Sequence, residues 1–129
     1  MKKTKNISFS IPVDIFGCQL LVFVGSPKGC VDFLRKKGCK GCSVEKIEEQ
    51  LDSGSTAFTV ALGGGNALVY TQQDLVKYPE ILVHELCHVS CLILTYFEIE
   101  EQTPYNEVFA YLTGYLFRES MKYLKRRGK

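Results

Sequence analysis

The 129-residue chain has little charge of either sign in excess, no long hydrophobic run, no internal repeat and only two histidines. Sixteen basic against fourteen acidic residues leave a net charge of +2, too little to mark a nucleic-acid surface, so nucleic acid is not an expected partner. No apolar run reaches the roughly 18 residues that a membrane helix needs, and no membrane span is expected. The opening MKKTK and the apolar stretch Ile15–Val24 have the outline of a signal peptide, and Gly17-Cys18 that of a lipoprotein cleavage site. Pro12, Asp14 and Gln19 break both outlines, so the chain reads as unprocessed and soluble.

What is present is enough for one compact domain. With 46% apolar and 12% aromatic residues, a chain of this length can bury its own core and leaves little room for a second domain. Six cysteines are therefore not needed as a disulfide framework, and a reducing compartment suits them better. Cys39 and Cys42 form a C-x-x-C with Cys30 upstream. That group reads as a turn with reduced thiols, with a second metal site as the sharper alternative.

Residues 7–16 and 18–24 are rich in Ile, Val and Phe around Gly17, which predicts a β-hairpin. Thr56–Leu62 and Ala67–Thr71 predict a second one, closed by Gly63-Gly64-Gly65-Asn66, whose glycines supply the positive φ angles of a tight loop. Short helices are expected over Cys30–Lys37 and, behind a Ser43 cap, to Leu51. Long ones are expected from Tyr78 to Phe97 and from Pro104 to about Arg126, the latter capped by Thr103. Strands in the first half and helices in the second predict an α+β domain, a small and mostly antiparallel sheet packed against two long helices.

The two histidines stand in one short motif, His84-Glu85-Leu86-Cys87-His88. At about 100° per residue, His88 lies about 40° and Glu85 about 100° around the helix from His84, so all three share a face. Two imidazoles one turn apart can grip a single Zn²⁺ while the neighbouring carboxylate contacts its water. The surrounding residues are apolar almost all round, from Ile81 to Leu94, which predicts burial on more than one side and a need for partners in the middle of the helix. A metal is one such partner. The plainer alternative is that the histidines and the glutamate hydrogen-bond one another.

Eighteen residues after His88 comes Glu107, near the start of the second long helix, and the segment 98–103 is long enough to fold it back toward the histidines. The pattern H-E-x-x-H-x18-E, with Asn106-Glu107-Val108-Phe109-Ala110, resembles the gluzincin metallopeptidases, which include thermolysin-like proteases and zinc aminopeptidases. The resemblance covers about residues 80–115. It implies one zinc ion held by His84, His88 and Glu107, with Glu85 as general base toward a metal-activated water and a peptide or protein as substrate. Tyr96, Tyr105 and Tyr111 are then available to stabilise an oxyanion.

A second class of function competes with this one. Short single-domain chains with H-E-x-x-H on a hydrophobic helix also resemble proteins encoded by tailed bacteriophages. That likeness implies a non-enzymatic virion or assembly component, its zinc structural or vestigial and its apolar surface binding other chains. The expected location is cytoplasmic or virion-associated.

Overall fold

The structure, a computed structural model, describes residues 6–38, 42–54, 56–99 and 107–127. The first hairpin pairs β1 (Ile7–Val13) with β2 (Cys18–Val24), from Ile7 opposite Val24 to Val13 opposite Cys18. Gly17 closes its turn at φ +66°, a conformation that costs glycine little. Helix α1 (Pro27–Lys36) follows. It begins a turn earlier than the apolar pattern alone indicates, because Ser26 caps it by accepting from the Gly29 amide at 3.1 Å and Pro27 occupies the first turn. Helix α2 (Cys42–Asp52) leads to the second hairpin, β3 (Ala57–Gly63) with β4 (Asn66–Thr71). Gly65, in the turn at φ +85°, lies so close to the Phe97 ring that a Cβ there would stand 2.7 Å from it.

The two hairpins join into one sheet of order β1-β2-β4-β3. The join is β2 running parallel to β4, with Val22 opposite Val69. Both central strands are buried along nearly their whole length, as strands covered on two faces must be. On one face Leu20, Val22 and Val69 meet α3 (Pro79–Tyr96) and α4 (Glu107–Arg127). On the other, Leu21, Phe23 and Leu68 meet Cys30 and Leu34 of α1 and Ile47 of α2. The protein is thus an α+β fold whose mostly antiparallel sheet carries two long helices on one side and two short ones behind it.

Helix α3 holds the sheet through Leu82, Leu86, Val89 and Ile93, all fully buried. Each such side chain contributes about 1.5–3 kcal/mol by leaving water. Helix α4 packs beside it through Leu112, Leu116 and Leu124, and Ser90 of α3 meets Thr113 of α4 at 2.6 Å between hydroxyl oxygens. Tyr123 of α4 stacks on Phe9 with ring centroids 4.9 Å apart. Among the described residues no helix is long and apolar enough to cross a membrane. The expected Thr103 cap, Pro104 and Tyr105 lie outside the described residues, and the described part of the last helix opens at Glu107.

Candidate functional site

The histidines and Glu85 sit where α3 passes β3, the outermost strand on that side of the sheet. His84 and His88 project one turn apart, ring centroids 4.9 Å apart and nearly edge-to-face, with their Nε2 atoms separated by 3.3 Å. At that distance a ring N–H of one imidazole can donate to the ring nitrogen of the other. Both residues are exposed, His84 to 69% of its side chain. The sequence expectation of two buried histidines is therefore corrected. The run from Val83 to Cys91 reads as apolar all round, yet Val83, His84, His88 and Cys91 form a solvent-facing side while Leu82, Leu86 and Val89 form the buried one.

Glu85 is the buried member, 6% exposed. Its Oε1 accepts a 2.7 Å hydrogen bond from Thr59 Oγ1, which also lies 3.2 Å from the Glu85 backbone carbonyl. Its Oε2 stands 3.9 Å from His84 Nε2. The Thr59 hydroxyl is thus the hydrogen-bond partner that holds the Glu85 carboxyl group in a mostly dry position, which is what such a group needs to remain there.

Thr59 is a site residue that motif reading missed. Its signal was available: alternation along β3 puts Ala57, Thr59 and Ala61 on one side and Phe58, Val60 and Leu62 on the other. A small and polar side on a strand is the side on which another group approaches closely.

The third expected ligand does not join the pair. Among the described residues, no three His, Cys, Asp or Glu side chains come together in a group able to hold a metal ion. Glu107 is exposed at the opening of α4. The cause is where α4 packs. Its contact with α3 runs through Ser90, which lies about 120–160° around the helix from the two histidines. Val108, Tyr111 and Leu112 line a groove with Phe16, and Phe16 stacks on Phe97 at 5.1 Å. The first turn of α4 therefore lies by the end of α3, nine residues or about 13 Å beyond His88.

The gluzincin resemblance, and with it the three-ligand zinc site of His84, His88 and Glu107, is overturned by this placement. Two imidazole donors remain, which do not fit the three protein ligands that such a zinc site requires.

The other candidates are also apart. Tyr96 stands near the far end of β3 beside Ala61 and Gly65, and Tyr111 belongs to the groove by the β1–β2 turn. Cys30 is fully buried between α1 and the sheet, and burial pushes its thiol up to about 12. A thiol held so firmly protonated is the reverse of what a metal-ligating cysteine needs. Cys39 and the Cys42 side chain lie outside the described residues.

Two depressions flank the histidines along β3. One, of about 400 Å³, is lined by Thr56, Ala57, Gln73, Glu80, Ile81, His84 and Glu85. The other, of about 230 Å³, is lined by Ala61, Gly63, Gly65, Asn66, Leu92, Thr95 and Tyr96. Ala57 and Ala61 are four residues apart, about 13 Å along an extended strand. The first depression is the more polar of the two and carries the carboxyl groups of Glu80 and Glu85, and the second is small and mostly apolar. The chain matches no protein-family model, no curated protein and no solved structure.

Proposed function

We propose that the protein binds an extended segment of another polypeptide along the outer edge of β3, with His84 and His88 facing the bound main chain. The observation that carries this reading is the edge itself. Among the described residues β3 pairs with β4 alone, and Ala57–Gly63 contains neither a proline nor a charged side chain, two of the usual devices that keep a strand edge from pairing; its one irregularity is a register shift between Ala61 and Gly63, at the hairpin end. A strand with a free hydrogen-bonding edge gives affinity through main-chain bonds, and pockets beside it give selectivity through alternate side chains.

The two depressions supply those pockets. The end lined by Glu80 and Glu85 suits a polar or cationic side chain, and the end lined by Leu92 and Tyr96 suits a small apolar one. An imidazole pair between them adds hydrogen-bonding nitrogens at the level of the bound backbone.

The test is selection of binders from a library of unstructured peptides, followed by affinity measurement on variants. Ala61→Arg places a long charged side chain across the smaller depression and is expected to weaken binding at least tenfold, about 1.4 kcal/mol. Ile15→Ser, at the β1–β2 turn by the other edge of the sheet, is expected to leave it unchanged. Equal loss in both variants would overturn the reading. Cleavage of the selected peptides, abolished in Glu85→Gln, would replace binding by hydrolysis as the function.

A further inference from the structure

We infer that α4 is also the contact helix of a symmetric dimer, its partner being a second copy of this chain. The surface is distinct from the β3 edge, and the inference does not depend on the reading given above. Glu107, Tyr111, Gly114 and Arg118 are all exposed, and at about 100° per residue they fall within one arc of about 60°. Tyr111 is 77% exposed, and Ile15 beside it in the apolar groove is 85% exposed. Exposure of this degree on large apolar side chains, side by side, is uncommon on a surface that meets only water.

The stripe is complementary to itself. Two copies of α4 running antiparallel and crossing midway between Tyr111 and Gly114 bring Tyr111 of each over Gly114 of the other, and Glu107 of each opposite Arg118 of the other. The aromatic side chain then meets the one position where the helix has a gap: a Cβ built at Gly114 finds nothing within 4 Å. The charged pair meets with opposite signs at both ends. Arg118 is available for it, because its contact with Glu119 is a long 3.4 Å while Lys122 holds the same carboxylate at 2.9 Å. A two-fold axis requires each patch to match its own copy in this way.

A contact of one helix and one turn from each copy is small, below about 1,200 Å² in total, and complexes of that size are weak. Sedimentation equilibrium of the full chain is therefore expected to give a mass rising from 14.6 kDa toward twice that value through the micromolar range. Glu107→Arg or Arg118→Glu alone turns both ion pairs into repulsions and is expected to weaken the dimer about tenfold. The double reversal, Glu107→Arg with Arg118→Glu, restores it to within about threefold.

Gly114→Leu fills the gap and is expected to abolish association while circular dichroism stays that of the parent. A chain monomeric at every concentration overturns the inference. So does a dimer that the single reversals leave intact, or one that the double reversal fails to rescue.

Discussion

The two outer strands of the sheet are finished in opposite ways. β1 carries Pro12, which lacks an amide hydrogen, and the Tyr115 hydroxyl from α4 donates to the Pro12 carbonyl at 2.7 Å. β3 has neither a proline nor a charge within Ala57–Gly63, and α3 meets it at the Thr59–Glu85 hydrogen bond with a depression on either side. A sheet edge left open is a liability in solution. The β3 edge, beside a buried carboxyl group and an exposed imidazole pair, is where we propose that a polypeptide binds.

The comparison breaks first at Thr59. Thr59→Val keeps the shape of the side chain but leaves Glu85 Oε1 without its 2.7 Å donor, and a buried acceptor deprived of its partner is expected to cost about 1–3 kcal/mol in denaturant unfolding. A loss under half of that would mean that water already serves Glu85. On the other edge, Tyr115→Phe removes a single neutral hydrogen bond and is expected to cost about 1 kcal/mol.

That second effect carries a pH signature. Burial, with Glu119 and then Asp14 nearby, raises the Tyr115 phenol above its ordinary 10.0. The protonated form is the one the fold favours, so its contribution is complete below the unfolded value. It is lost as pH rises through the folded one. The stability gap between the parent and Tyr115→Phe should therefore hold at neutral pH and close in strong alkali.

Smaller still is the expected response to zinc. Two imidazoles without a third donor among the described residues bind the ion too weakly to stabilise the fold, so equimolar Zn²⁺ should move the melting temperature by no more than about 1 °C. A rise of several degrees that disappears in Glu107→Ala would instead bring Glu107 to the histidines. Glu119 gives the smallest effect. Lys122 donates to it at 2.9 Å and holds its carboxyl below the usual value, a contribution present above the unfolded pKa and lost as pH falls through the folded one. On so open a surface, Glu119→Gln should be barely measurable at neutrality and indistinguishable from the parent in acid.

Both hairpins and the bounds of α3 could be read from alternation, glycines and Pro79, because those signals are local. The parallel pairing of β2 with β4 could not. Runs such as Leu20–Val24 and Leu68–Tyr70 announce buried strands, but which neighbour each one takes is settled by how α1 and α2 cross behind the sheet.

The site divides along the same line. The spacing of His84 and His88 fixes their meeting within one turn of helix. Their exposure was hidden because Val83 and Cys91 count as apolar while lying toward solvent. Glu107 was misplaced for a related reason: the length of the 98–103 segment sets how far the next helix can reach, and says nothing of the side of α3 on which it packs.

The most direct test of the open edge is amide hydrogen exchange on the chain alone and with a selected peptide bound. Rapid exchange is expected at alternate amides of Ala57–Gly63 in the free protein and strong protection of those amides in the complex, with β1 unchanged. Protection confined to α4 or to the β1–β2 turn, with β3 unaltered, would contradict it.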